Sequence, residues 1–344
     1  MKLGCFSMLA FVFLLGAPIV AGAEALKDEW AQRRDGNLSF ESLSARHLDF
    51  NRALTSSSLL FTLDKIRGSG GERNGIQSFA FDERNRTVYT LHLTGMKAGG
   101  ASIINMYPLD EGVSKKSLGA SNPVNDVVGH QGLGIEYIAG DEVRLWSTYQ
   151  KDFRQVVRFS YSEGQPVGDV EVFRLFGNDF KTYVSATPAI STDQKYLIAA
   201  GRKKDTGAQV IRVWKLSDLV NGGVGDYSQR WVYEWGVEDL IDSQHPLQGI
   251  ASDGRRVWIV AGNSNIDVSK HLAVYTLDGQ TIDKNLDVEL GQDQARIDGA
   301  GREFEPEGLA LINEGGKLYL CVGVVSGDKG FRQVRIYRMP IDKG

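Results

Sequence analysis

Five short stretches of the sequence share one pattern, and their spacing limits what the chain can fold into. Each begins with a polar residue, continues with a small residue or proline and ends with an apolar one. They are Gln77–Phe79, Gln131–Leu133, Thr187–Ala189, Gln248–Ile250 and Glu307–Leu309. Their first residues, the anchor residues, lie 54 to 61 positions apart. That spacing is slightly longer than the period of about 40 to 50 residues typical of four-stranded propeller blades.

The same series of strand-like segments follows each anchor residue. An apolar segment comes second: Thr87–Leu93, Glu142–Thr148, Lys195–Gly201, Arg256–Gly262 and Lys317–Gly323. A third segment carries one aromatic residue at a matched position: Tyr107, Phe159, Trp214, Tyr275 and Tyr337. Short β-branched and aromatic segments separated by Gly, Asp and Asn indicate strands. The sequence predicts an all-β fold, a five-bladed β-propeller. A β-sandwich would explain the strands but not the fivefold repeat.

Small residues occupy matched positions beside the anchors. The first column is Ser78, Gly132, Pro188, Gly249 and Gly308, and the second is Ala80, Gly134, Ile190, Ala251 and Ala310. Small side chains allow neighbouring backbones to approach closely. We therefore expect the stretches to be the innermost strands around a narrow axis.

The last blade lacks its fourth strand, because the sequence ends shortly after the third strand, near Met339. An unpaired strand edge would be exposed at that point. The segment Ser58–Leu63 lies just before blade one and has a strand-like composition. We expect this N-terminal strand to complete the last blade and close the ring.

Residues 1–23 predict a secretory signal peptide. Lys2 gives the positive start, Met8–Leu15 the apolar core and Ala21–Ala23 the small-residue cleavage site. The alternative is an uncleaved membrane anchor, but the apolar stretch is short for the roughly 20 residues that span a bilayer. We expect a secreted or periplasmic protein with no stable membrane insertion.

The remaining sequence predicts one domain with an extension. Residues 24–54 are expected to form a polar, partly helical extension, and residues 55–344 the propeller. Cleavage of the signal would leave Cys321 as the one cysteine, expected to be a buried strand thiol. Loops are expected at the Gly-rich segment Asn221–Gly225 and at 292–302. The net charge of −4, without a long basic run, argues against nucleic-acid binding.

Polar residues from several blades are expected to meet at one mouth of the central channel. Matched positions on the inner strands place the anchors in a ring, with two histidines just before it and a glutamate beside it. The candidate ligand-binding residues are Gln77, His130, Gln131, His245, Gln248, Glu305 and Glu307. Convergent polar groups in a concave site are typical of ligand binding. They could instead bond only to each other or to channel water.

Catalysis and metal binding are weaker interpretations of the same residues. A hydrolase would use Glu307 and Glu305 as its carboxyl pair, with His130 or His245 assisting. The other anchors are not acids, which disfavours glycoside hydrolysis. No tight metal-ligand spacing is present, so no metal or cofactor is expected, although channel oxygens could accommodate Ca²⁺. Whether the protein is an enzyme stays open, with binding favoured.

Several motifs together resemble a known family. They are Gly75–Asp82, Gly129–Gly134, Leu247–Asp253 with Ala273–Tyr275, Glu305–Leu309 with Arg335–Tyr337, and the upstream strand Leu59–Leu63. This set resembles the five-bladed propeller shared by teichoic acid biosynthesis protein C, phage receptor-binding proteins and helveticin-J-like bacteriocins. The likeness covers about residues 55–340. Blade three departs from it, with Thr187-Pro188 where Gln-Gly is expected.

The resemblance implies a bacterial protein that contacts cell-envelope polymers, and it transfers no catalytic residues. We expect the exported propeller to bind an envelope carbohydrate or a polyanionic, phosphate-containing wall polymer at the channel mouth. The alternatives are an envelope-polymer hydrolase, acting as glycosidase or phosphodiesterase, and a secreted bacteriocin-like toxin. Fold alone does not choose among these functions.

Overall fold

Strands dominate the described part of the chain, which a computed structural model gives as residues 53–54, 56–64, 75–93, 102–110, 112, 114–121, 127–177, 182–237, 239–298, 303–328 and 332–341. These residues belong to one compact unit, residues 47–343. The predicted signal peptide (1–23) and all but the last two residues of the predicted extension (24–54) lie outside the described residues.

The strands are numbered in chain order. They are β1 (Ser58–Asp64), β2 (Ile76–Asp82), β3 (Thr87–Leu93), β4 (Ser102–Pro108), β5 (Ser114–Lys116), β6 (Gly119–Ala120), β7 (Val128–Tyr137), β8 (Val143–Tyr149), β9 (Gln155–Ser160), β10 (Gly168–Arg174), β11 (Tyr183–Ile190), β12 (Tyr196–Lys203), β13 (Gln209–Lys215), β14 (Gly225–Asp226), β15 (Tyr233–Gly236), β16 (Leu247–Ser252), β17 (Arg256–Ala261), β18 (Lys270–Thr276), β19 (Thr281–Val288), β20 (Phe304–Glu314), β21 (Lys317–Ser326) and β22 (Gln333–Ile341). The short helices are α1 (Leu216–Gly222) and α2 (Gln292–Ile297).

The strands form five sheets, which are the five blades of a β-propeller. In order from the axis outward they are β2-β3-β4-β6, β7-β8-β9-β10-β14, β11-β12-β13-β15, β16-β17-β18-β19 and β20-β21-β22-β1-β5. Each innermost strand contacts the innermost strand of the next blade, and the fifth contacts the first. The predicted fold class is therefore confirmed.

Small residues allow the inner strands to approach one another as the sequence predicted. A Cβ atom on Gly249 would lie 2.5 Å from the backbone nitrogen of Leu309 in the next blade. A Cβ on Gly308 would lie 3.0 Å from the Cα of Ser78 in the blade after that. Larger side chains at these positions would push neighbouring blades apart.

The N-terminal strand closes the ring, also as predicted. β1 pairs antiparallel with β22, from Ser58 opposite Arg338 to Leu63 opposite Val334. β5, from the chain segment of blade one, then pairs parallel with β1. Blade five is therefore built from both ends of the propeller, with an additional strand from blade one.

Two segments expected to be loops contain regular structure. The segment Asn221–Gly225 begins in the last turn of α1 and ends in β14, which extends blade two. The helix forms there because Leu216 and Leu219 are buried in the blade-three core. The segment 292–302 begins with α2, where Ala295 is buried among blade-four and blade-five residues.

The blade cores contain the residues that the repeat aligned. Tyr107, Phe159, Trp214 and Tyr275 are buried at matched positions of the third strands. Cys321 is a buried free thiol in β21, as expected, and burial raises its pKa well above the ordinary value. Among the described residues, no helix is both long and apolar enough to cross a bilayer.

Candidate functional site

Four of the five anchor residues lie at β-bulges. The register of the inner strand shifts around Gln77, Gln248 and Glu307, and between Val128 and Leu133, where Gln131 lies. A bulge leaves one residue outside the regular ladder and redirects its side chain. The bulges lie near the start of the inner strands, and this end of the channel is called the anchor mouth below.

Thr187 differs from the other anchors. It pairs regularly with Ala200, and the register shift of its strand lies earlier, between Tyr183 and Ser185. The following residue, Pro188, packs directly beneath Gly132, where an added Cβ would lie 2.6 Å from the proline ring. Blade three therefore supports the bulge of blade two rather than contributing a redirected polar side chain.

The bulges bring together residues from blades two, four and five. Gln131 donates from Nε2 to Oε1 of Gln248 at 3.2 Å and to the carbonyl oxygen of Leu247 at 3.3 Å. Gln248 donates from Nε2 to Oε1 of Glu305 and to the carbonyl oxygen of Gly262, both at 2.9 Å. Amide side chains thus connect three blades at the anchor mouth.

Glu307 and Gln77 join blade five to blade one at the same mouth. Gln77 donates from Nε2 to Oε1 of Glu307 at 3.2 Å and to the carbonyl oxygen of Ile76 at 3.2 Å. Glu307 is only 6% exposed, and its second oxygen, Oε2, is buried without a hydrogen-bond partner. The group Gln77, Gln131, Gln248, Glu305 and Glu307 is called the anchor network below.

The carboxyl groups of the network are electrostatically unfavourable as anions. Burial raises the pKa of Glu307 well above its ordinary value, and the charge of Glu305 raises it further. Burial also raises the pKa of Glu305, an effect that Glu303 increases and Arg332 opposes. Glu303 itself forms an ion pair with Arg332 at 2.5 Å.

Lys270 is a buried lysine whose charge acts on Glu305. Its Nζ donates to the carbonyl oxygens of Asn265 at 2.8 Å and Val268 at 2.6 Å. Burial lowers its pKa to about 8, against an opposing attraction from Glu305. The ammonium is therefore held by backbone oxygens.

The two predicted histidines are not part of the anchor network. His245 bonds through Nδ1 to Oδ1 of Asp242 at 2.9 Å and stacks on His271, with ring centroids 3.6 Å apart. His271 in turn donates from Nδ1 to the carbonyl oxygen of Leu240 at 2.9 Å. His130 is exposed, yet the surrounding protein desolvates its imidazole and lowers its pKa.

Within the described ranges, no group of three or more His, Cys, Asp and Glu side chains could hold a metal ion. Calcium in the channel therefore stays a prediction from composition. Glu305 and Glu307 are the carboxyl pair of the network, and their raised pKa values are suited to a proton donor.

The opposite end of the channel, the far mouth, opens into a cavity of about 300 Å³. The second small-residue column lines it: Ala80, Gly134, Ile190, Ala251 and Ala310. None of the predicted ligand-binding residues lines this cavity. This cavity and the predicted polar cluster therefore lie at different ends of the channel.

Polar groups around the far mouth bind neighbouring blades to each other. The backbone nitrogen of Glu83 donates to the Tyr137 hydroxyl at 3.0 Å, and that of Tyr137 donates to Gln194 Oε1 at 2.9 Å. The backbone nitrogen of Asn313 donates to Glu83 Oε1 at 2.9 Å. These polar groups at the far mouth therefore serve contacts between neighbouring blades.

The sequence predicted the anchors at one mouth, and hydrogen bonds there pair four of the five, but it did not predict the bulges or the nearby cations. The dipeptides Gln131-Gly132 and Glu307-Gly308 contained a usable signal, because glycine inside a strand often marks a bulge. Both glycines have positive φ angles, 79° and 89°. No local signal identified Lys270 or Arg332, because they belong to other segments of the chain and act on Glu305 only through space.

Comparison with known proteins agrees with this architecture. A family model described as the phage 5-bladed beta propeller receptor binding platform domain matches residues 76–338. A Bacillus subtilis (strain 168) protein named for teichoic acid biosynthesis (protein C) is 26% identical over 280 residues, covering 77% of this chain and 59% of that protein. The chain thus spans less than two thirds of this curated relative.

One solved structure has the same fold. The tail fiber of Staphylococcus aureus phage P68 aligns with a TM-score of 0.59 at 18% identity, over 83% of this chain and 52% of that one. An α-L-arabinofuranosidase from Clostridium thermocellum aligns at 12% identity over 73% of this chain and 90% of that one, and its TM-score of 0.41 is too low to bear on function. The resemblance in the sequence is confirmed, and the chain belongs to the family of phage five-bladed β-propeller receptor-binding platform domains.

Proposed function

We propose that this protein is exported and binds a cell-envelope glycan or phosphate-containing wall polymer through the anchor mouth. Two comparisons support an envelope polymer as the ligand. The matching family is described by receptor binding, and the curated relative is named for teichoic acid biosynthesis. The fold supports the location, because bulged polar residues from four blades converge there. Secretion or transfer to the periplasm rests on the predicted signal peptide.

The unpartnered oxygen of Glu307 carries the proposal. A buried polar atom without a hydrogen bond costs about 1–3 kcal/mol, so native proteins keep few of them. Glu307 Oε2 is such an atom. A bound ligand would supply the missing partner.

Backbone strain at Gln131 supports the same site. Its φ of 65° places a non-glycine residue in the left-handed region, where such conformations cost of order 1–3 kcal/mol. The strained backbone directs its amide toward Gln248 in blade four. Strain retained at a convergent polar cluster is typical of functional sites.

The anchor network has oxygen atoms left over rather than N–H groups. Both amide hydrogens of Gln77, Gln131 and Gln248 have acceptors inside the protein. When Glu305 and Glu307 are ionised, a ligand therefore contacts the network by donating hydrogen bonds. Sugar and polyol hydroxyls donate, whereas ionised phosphate only accepts, so the network would bind the hydroxyl-bearing part of the polymer.

Retention of the full chain on bacterial cell walls that carry their wall polymer tests the proposal. The double variant Gln131→Ala with Gln248→Ala removes two amides of the network. We expect retention to fall about fivefold or more relative to the unmodified protein, since two or more hydrogen bonds worth about 0.5–1.5 kcal/mol each are lost.

The matched control is Gln165→Ala with Gln280→Ala, which removes two exposed glutamines from loops at the opposite face. Its retention should equal that of the unmodified protein. Equal retention of the anchor double variant, or no retention of any chain on polymer-bearing walls, would refute the proposal. Walls stripped of polymer show whether the polymer itself is recognised.

A hydrolase remains the second candidate, favoured by one observation. Glu307 is a buried carboxyl group whose raised pKa is suited to general-acid catalysis. This function predicts release of soluble sugar or phosphate from purified wall polymer. Loss of that release in Glu307→Gln would support it, and unchanged release would exclude Glu307 from catalysis.

A further inference from the structure

We infer that the anchor network is a binding site for a primary ammonium group on the envelope polymer. The inference rests on the proposed function and specifies the ligand chemistry of the same site. Its basis is a mismatch of hydrogen-bond donors and acceptors in the network, together with two carboxyl groups to which no cation of the described residues is hydrogen-bonded.

The oxygen atoms left over in the network match the donors of an ammonium group. Glu307 Oε2 is buried and unpartnered in a side chain that is 6% exposed. Within the described residues, no hydrogen bond to the amide oxygens of Gln77 and Gln131 is observed. A primary ammonium has three N–H donors and no acceptor, so it can satisfy three such oxygens together.

The cations already present are engaged elsewhere. Arg332 is paired with Glu303, and Lys270 donates to two backbone carbonyl oxygens. Neither makes a described hydrogen bond to Glu305 or Glu307, although both attract Glu305 through space. A buried and a half-buried carboxyl group, with no contacting cation among the described residues, are electrostatically complementary to a ligand cation.

An ammonium fits better than a divalent metal. The network offers two carboxyl groups, and the described residues include no cluster of three or more metal-binding side chains around it. Calcium takes six to eight oxygen ligands, usually with several carboxylates. An organic ammonium needs only about three acceptors at ordinary hydrogen-bond distances.

Binding of the cation should be linked to proton release. Burial favours the protonated forms of Glu305 and Glu307 in the unoccupied site, and repulsion by Glu303 on Glu305 and by Glu305 on Glu307 adds to it. An ammonium favours the ionised forms, so at least one proton leaves when it binds below the raised pKa. Affinity for the amine should therefore increase from pH 6 to pH 8.

Isothermal titration of the full chain tests the inference with two probes that differ only in the amine. The probes are 2-aminoethyl β-glucopyranoside and its N-acetylated counterpart, which keeps the sugar but loses the charge. At pH 8 we expect the amine to bind at least about tenfold more tightly, as for a charge-assisted hydrogen bond of about 1.5–3 kcal/mol. Titrations in buffers of different ionisation enthalpy count the released protons.

Glu307→Gln should abolish the preference for the amine and the proton release, because it removes the charge and keeps the shape. Glu163→Gln, an exposed glutamate on the β9–β10 loop at the opposite face, is the matched control and should retain both. Loss of the preference in both variants would overturn the inference.

The other outcomes of these titrations separate the ammonium site from the glycan proposal. Equal affinity for the two probes overturns the ammonium site and leaves the glycan proposal standing. No binding of either probe by a chain that still adheres to polymer-bearing walls overturns the inference alone, and no adherence refutes both. Tight binding of calcium chloride that blocks the amine would show a metal site instead.

Discussion

Glu307 shows how a buried carboxyl group can lower the stability of a fold. Its side chain is buried, one oxygen is bonded to Gln77 and the other has no partner. Its pKa is raised because burial and Glu305 disfavour the charged form. An acid with a raised pKa in the folded state makes stability depend on pH.

We expect the free energy of unfolding of the unmodified protein to fall as pH rises. Glu307→Gln should not show this fall. Below the ordinary carboxyl pKa, both the folded and the unfolded chain are protonated and the residue contributes no pH dependence. Above it, the unfolded chain ionises while folded Glu307 keeps its proton, so the free energy of unfolding falls by about 1.4 kcal/mol per pH unit until the raised pKa is reached.

Chemical denaturation between pH 4 and pH 8 measures this difference. The unmodified protein should lose stability relative to Glu307→Gln across that range. The exposed control Glu163→Gln should follow the unmodified protein. Parallel stability curves for all three chains would contradict a raised pKa at Glu307.

β1 illustrates the element scale, because one strand joins the two ends of the propeller. Its inward residues Phe61 and Leu63 are buried, whereas Leu59 is 39% exposed. Phe61 packs edge-on against Phe81 of blade one, with ring centroids 6.4 Å apart. The strand therefore attaches blade five to blade one as well as completing its own sheet.

Phe61→Ala should destabilise the protein by about 3–5 kcal/mol, the usual cost of truncating a buried phenylalanine. Leu59→Ala on the same strand should cost less than about 1 kcal/mol, since that side chain is partly exposed. Urea unfolding followed by tryptophan fluorescence gives both values. Similar losses from the two substitutions would show that the β1 contacts do not control stability.

At the scale of the whole molecule, close packing of the inner strands determines the ring. Every innermost strand contacts its two neighbours, so a change in one blade is transmitted to the next. The contact at Gly249 is very tight, because the backbone of Leu309 lies where a side chain on residue 249 would have to be. The space near the axis therefore limits the size of the side chains that the five inner strands can carry there.

Gly249→Ala should lower the free energy of unfolding by about 1–3 kcal/mol, because overpacking forces two backbones apart. Gly168→Ala is the matched control, since its added Cβ would meet only the hydroxyl of Ser160, on a side chain that can rotate. Thermal unfolding should distinguish them. Equal melting temperatures would show that the inner strands have spare room.

The sequence by itself determined the local periodicity of this protein and hence its architecture. Strand period, turn residues and the matched columns are local properties, so they predicted β3 (Thr87–Leu93) with the correct bounds and β1 to within one residue. The closure by β1 also followed, because an unpaired edge at the end of blade five had to be covered. Local signals were weaker for α1 and α2, whose burial depends on blades distant in sequence.

Only the tertiary structure decided which polar groups meet. Gln131 reaches Gln248, two blades away, because its bulge passes over Pro188 of the intervening blade. His245 instead contacts Asp242 and His271, although it lies only three positions before its anchor, while Glu305 lies two positions before Glu307. The direction of a side chain at a bulge depends on the space that the adjacent blade leaves beside it. The sequence of one repeat does not contain that information.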